Sequence, residues 1–71
     1  LKIAFGAHLT KLRKERELSI HQLAHMCDLE YSHVQRIEKG KVNIALTTLA
    51  SLAQGLNISL EELFSDFNAP Q

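Results

Sequence analysis

The sequence predicts an all-α fold, five short helices around a single core, on three observations. Apolar residues recur three and four apart in successive stretches, as they do on the buried face of a helix. Residues that start or stop helices separate those stretches: Ser19 with Gln22, Asp28, Gly40, and Ser59 with Glu62. No stretch alternates as a strand does, and the one proline, Pro70, lies near the C-terminus.

The first helix is predicted over residues 3–16, where Phe5, Leu9 and Leu12 form a stripe and Lys11, Lys14 and Glu15 fall off it. Ser19 and Gln22 make a capping box, in which a hydroxyl serves an exposed backbone N–H and an amide reaches back. A second helix therefore spans 19–27, with Ile20, Leu23, Ala24 and Cys27 as its apolar positions. Asp28 tolerates the left-handed conformation and suits a tight turn, after which Leu29 can fold back onto the core. A third helix spans 30–39, with Val34 and Ile37 inside and Gly40 as a left-handed stop. A loop from Lys41 to Ile44 leads to a fourth helix over 46–55, with Gly55 near its end and Asn57 just beyond. Ser59 and Glu62 form a second capping box, opening a fifth helix over 59–66 that carries Leu60, Leu63, Phe64 and Phe67. Residues 68–71 read as a frayed tail, and the whole of 1–71 as one domain.

Composition narrows the function. With 71 residues, 45% hydrophobic and 23% charged, the chain is of ordinary globular make-up and has little room for an enzyme pocket beside its scaffold. It carries no paired carboxylates, nucleophile–base set or glycine-rich phosphate loop, so no catalysis and no cofactor are expected. No apolar run nears the ~20 residues of a membrane span, no signal-peptide pattern is read, and the single Cys27 allows no internal disulfide. A cytoplasmic protein without membrane partners is expected. The chain opens on Leu1 rather than Met, which leaves room for residues of the gene product ahead of it. Net charge is zero but unevenly spread: eight bases face five acids through Lys41, a net +3, and three acids with no base follow, a net −3. Such a molecule presents one basic side that can steer toward phosphates. His21 and His25 stand four apart with Cys27 and His33 nearby, but no second dense ligand set completes a tetrahedral site, so no metal is expected.

The second and third helices, each too short to be stable alone, are joined by a short turn. Around them the residues become specific: Leu12-Arg13, Leu18-Ser19, Leu23-Ala24, Arg36-Ile37-Glu38-Lys39-Gly40-Lys41, Thr48-Leu49 and Ile58-Ser59-Leu60, in this order and spacing. The chain resembles the Cro/phage-repressor (XRE-type) helix-turn-helix family over about residues 3–66, without a gap. The resemblance implies a five-helix, lambda-repressor-like DNA-binding domain whose third helix reads the major groove of double-stranded DNA. It also implies a homodimer on a pseudo-palindromic operator and a role in transcription regulation, either as repressor or activator or as an antitoxin-type autoregulator.

The same resemblance assigns residues. Tyr31, Ser32 and Arg36 stand where the resemblance places base-edge contacts, and Gln35 joins them as a base-reading candidate from the outer side of the third helix; Arg36 is able to hold guanine O6 and N7 in bidentate fashion. A solvated face accounts for Gln35 equally well. Lys39, Lys41 and Asn43 follow the recognition helix where the family grips phosphates, and His33 holds a position that often points at the DNA backbone. Ser19 and His21 stand at the start of the second helix, where free N–H groups favour phosphate. Arg13 and Glu38 match a partly buried ion pair that braces the first helix against the third. Leu60, Leu63, Phe64 and Phe67 either form a dimer surface or close the core.

Three departures bear on binding strength. Ile20 stands where the family usually has a phosphate-binding Gln, Asp28 replaces the common turn Gly, and Glu30 replaces the usual Ser cap and brings negative charge toward DNA. Together with the zero net charge they keep a second reading open, a protein-interaction module on the same five-helix fold.

Overall fold

The computed structural model describes the backbone of residues 2–64 and the side chains of residues 4–64. Five α-helices follow one another: α1 (Lys2–Glu15), α2 (Ile20–Cys27), α3 (Tyr31–Glu38), α4 (Leu46–Leu56) and α5 (Leu60–Leu63). Among the described residues there is no strand. Ser19, Glu30 and Ser59 lie just outside the helices they introduce, because a capping residue keeps an extended backbone while its side chain or carbonyl serves the first turn. That accounts for the one-residue difference from the predicted starts of α2, α3 and α5. Helix α4 runs one residue further than predicted, to Leu56, and is stopped by Asn57.

Four of the helices end by one device. A residue in the left-handed region follows each: Glu17 (φ 58°), Asp28 (φ 57°), Gly40 (φ 72°) and Asn57 (φ 59°). The next N–H then reaches back five residues, from Leu18 to Arg13, Leu29 to Ala24, Lys41 to Arg36, and Ile58 to Ala53, at 2.9–3.2 Å. This is the hydrogen-bond pattern of a Schellman stop, and it typically carries a hydrophobic contact with it. Leu18, Leu29 and Ile58 supply that contact here by packing against the core. Glu17 is the one stop that composition does not announce, since Glu has no special ease in the left-handed region.

All five helices contribute to one core: Phe5 and Leu9, Leu23 and Cys27, Val34 and Ile37, Leu52 and Leu56, and Leu63 are buried. Helix α1 packs on α3, α2 on both α3 and α4, and α4 on α5. Two glycines permit the close crossings. A Cβ on Gly6 would run into the carbonyl oxygens of Ile37 and Glu38, and one on Gly55 would run into Cys27 and the Met26 carbonyl. At the far end of the core His8 is buried and its Nε2 donates to the Leu63 carbonyl oxygen at 2.7 Å, tying α1 to α5.

Of the four residues offered either to a dimer surface or to the core, Leu63 and Phe64 pack within the one chain. Leu63 is fully buried within the one chain, and Phe64 is half-buried against Phe5 at 5.5 Å between ring centroids. A four-residue helix must sink such groups to be held at all. Leu60 stays 42% exposed, and Phe67 lies outside the described residues.

Candidate nucleic-acid interface

Helix α2 begins on a complete capping box. The Ser19 hydroxyl oxygen accepts from the Gln22 N–H at 3.0 Å, and the Ser19 N–H donates to Gln22 Oε1 at 2.7 Å. Ser19 is exposed, and as an acceptor in the cap it keeps a hydroxyl proton that can still be donated. Asp28 then turns the chain, and two residues later Glu30 caps α3 from just outside it, its carboxylate making no capping hydrogen bond.

The packing of α3 decides what it shows. Val34 and Ile37 are both completely buried, so the opposite side of the helix faces out. Ser32 and Arg36 are exposed there, one turn apart on one face, and Tyr31 is exposed on the flank of the first turn. Gln35 and His33 are half-buried at the margins. Gly40 carries the chain away from α3 and leaves Lys39, Lys41 and Asn43 exposed beside its C-terminal end. His21 is exposed in the first turn of α2, and its ring stacks on Tyr31 with centroids 4.0 Å apart and planes within 16°. This contact joins a residue assigned to phosphate with one assigned to a base.

Arg13 lies apart from that face. Its Nε donates to Glu38 Oε2 at 2.7 Å and a terminal nitrogen to Oε1 at 3.1 Å, a bidentate pair. The remaining terminal nitrogen donates to the Leu18 carbonyl at 2.9 Å, and Thr10 Oγ1 donates to Glu38 Oε1 at 2.9 Å. The two charged side chains are only 12% and 6% exposed. The guanidinium thus braces α1, the α1–α2 turn and the end of α3, and is withdrawn from solvent. Sequence reasoning missed Thr10, the Leu18 carbonyl and His8, because each acts on a partner that only the fold brings near. It also missed the His21–Tyr31 stack. Cys27 faces α4 from within the core, and burial pushes its thiol up from 9.0 to about 11.

The geometry is that of two short helices presenting one outward face, and comparison with known proteins places it. A helix-turn-helix family model matches residues 9–63. The chain belongs to the XRE-type helix-turn-helix family. In the XRE-type family this motif binds DNA sequence-specifically and regulates transcription, and the chain carries the motif whole. Control protein C.MunI of Mycoplasma sp is 46% identical over 67 residues, covering 93% of this chain and 90% of that protein. The HTH-type transcriptional regulator PuuR of Escherichia coli (strain K12) is 34% identical over 68 residues, 96% of this chain. The chain spans nearly all of C.MunI but only 37% of PuuR. Among solved structures, the restriction-modification controller protein C.AhdI from Aeromonas hydrophila superposes with a TM-score of 0.82 at 37% identity, covering 87% of this chain and 94% of that one.

Proposed function

We propose that this XRE-type domain is a non-catalytic controller that binds a pseudo-palindromic double-stranded operator as a homodimer, with the outer face of α3 in the major groove. One observation carries the reading: burial of Val34 and Ile37 leaves Tyr31, Ser32 and Arg36 exposed together on α3. Arg36 supplies the bidentate fork suited to guanine, Ser32 a hydroxyl for either partner of a base pair, and Tyr31 a ring for a thymine methyl. Gln35, half-buried, contributes from the margin. Lys39, Lys41 and Asn43 hold the backbone at one end of the motif, and Ser19 and His33 at the other, fixing register without reading sequence. The 46% identity with control protein C.MunI and the fold shared with the restriction-modification controller protein C.AhdI support a controller of that kind. Leu60 and the outer side of α4 and α5 supply the contact with a second copy. No helix among the described residues is long and apolar enough to cross a membrane, in keeping with work on DNA in the cytoplasm, at the nucleoid.

Selection of bound duplexes from random DNA tests this. The wild-type chain should enrich a sequence with two related half-sites, and Arg36→Ala should lose the preference for guanine at one position in each. That loss corresponds to about 1–3 kcal/mol at the affected base pair. No enrichment by the wild-type chain would overturn the DNA reading in favour of a protein-interaction module. A monomer in sedimentation at high concentration, with and without the selected duplex, would remove the dimer.

A further inference from the structure

His21 opens α2 and Tyr31 opens α3, yet their rings lie face to face, with centroids 4.0 Å apart and planes within 16°. Both residues are exposed, so the pair stands on the surface beside Ser32 and Arg36 and is not part of the core. A tyrosine alone on the first turn of a helix exchanges rotamers freely, and docking it on DNA would cost that freedom. A ring already stacked on a second ring has lost the freedom beforehand, and Tyr31 stays 38% exposed beside its partner. Imidazole suits the role because it is flat, carries its polar atoms at its edge and stacks offset on a phenol. The two side chains also come from the two helices of the motif, so the stack bridges the junction on which the placement of α3 depends.

We propose that His21 is a positioning residue for base recognition: it acts on the operator through Tyr31, setting how sharply the base pair read by that tyrosine is discriminated without touching the base. This rests on the reading that the outer face of α3 meets base edges. It departs from the assignment of His21 as an independent phosphate contact, and the two make different predictions.

The experiment has a spectroscopic arm and a binding arm. Tyr31 is the only tyrosine and the chain has no tryptophan, so tyrosine emission and near-UV circular dichroism of the free protein report the surroundings of this one ring. His21→Ala should change both signals in the absence of DNA, while His21→Phe, which keeps a flat ring, should preserve the dichroism. Thermal unfolding should be nearly the same for all three, because His21 is exposed. On the duplex selected by the wild-type chain, His21→Ala should raise Kd roughly two- to tenfold. It should also relax the same base-pair preference that Tyr31→Ala relaxes, and it should add nothing in the Tyr31→Ala background. His21→Phe should retain affinity and preference. Equal losses from His21→Ala in both tyrosine backgrounds, or a His21→Phe protein as impaired as His21→Ala, would overturn the proposal while leaving DNA binding by α3 intact. Failure of the wild-type chain to select any duplex would overturn the parent reading and this one with it.

Discussion

At the scale of single residues, Glu38 is the most consequential charge in the molecule. Its two carboxylate oxygens accept from Arg13 Nε, an Arg13 terminal nitrogen and Thr10, and its side chain is only 6% exposed. Removing one partner of such a pair leaves the other charge desolvated and alone. Glu38→Ala should therefore destabilise the fold by about 3–5 kcal/mol, with Arg13→Ala similar and the double variant well short of the sum. A double-mutant cycle in chemical denaturation with no coupling beyond error would refute the brace. Cys27 makes the second residue-level prediction. The native thiol holds its proton to about pH 11, and the unfolded thiol loses it from about 9.0. The unfolded state thus sheds a proton first, and stability contributed by the neutral thiol, constant below pH 9, is lost between 9 and 11. The stability difference between wild type and Cys27→Ala should shrink over that interval, and at neutral pH the native thiol should alkylate far more slowly than the unfolded one. Native labelling as fast as that of the unfolded chain would refute a core thiol.

At the scale of elements, starts and stops matter because the helices are short. Helices α2 and α3 have eight residues each, below the length at which helices persist alone in water. Ser19→Ala removes the hydroxyl that receives the Gln22 N–H and should cost about 1 kcal/mol, seen as a lower denaturation midpoint at unchanged slope. At the other end of α1, Glu17 sits at φ 58° without a glycine's freedom. Glu17→Gly should remove a strain of roughly 1–2 kcal/mol against an unfolded-state entropy cost of about 0.5–1 kcal/mol, a net gain. A lower melting temperature for Glu17→Gly would show that the turn is not strained. The stops at Asp28 and Gly40 were legible in the sequence, because Asp and Gly are among the residues that enter the left-handed region most easily, whereas Asn57 was read only as lying just past α4. The stop at Glu17 was not, because it is held by the burial of Leu18 and by the Arg13 guanidinium on the Leu18 carbonyl.

At the scale of the whole molecule, charge sets the binding regime. Net charge is zero, Arg13 is engaged internally by Glu38, and Glu30 projects a carboxylate with no capping bond at the start of α3. Between Ser19 and Asn43 the only cations are Arg36, Lys39 and Lys41, so the logarithm of affinity should fall only gently with the logarithm of salt concentration. Specific over nonspecific preference should then persist as salt rises. A salt titration as steep as that of a strongly basic repressor would contradict this. Replacing Lys39 or Lys41 by Gln should reduce the slope by about one each and weaken all sequences alike.

What the sequence determined by itself was the set of helices, two capping boxes and two of the four left-handed stops. Those features depend on groups three to five residues apart, which any folded state of this chain brings together. The tertiary structure alone decided the rest. It sank Leu63 and half of Phe64 into the core, set His8 on the Leu63 carbonyl, let Gly6 and Gly55 admit close helix crossings, and brought the His21 ring onto Tyr31. Each of these joins residues from different helices, and their meeting depends on how the helices cross, which local propensity does not encode.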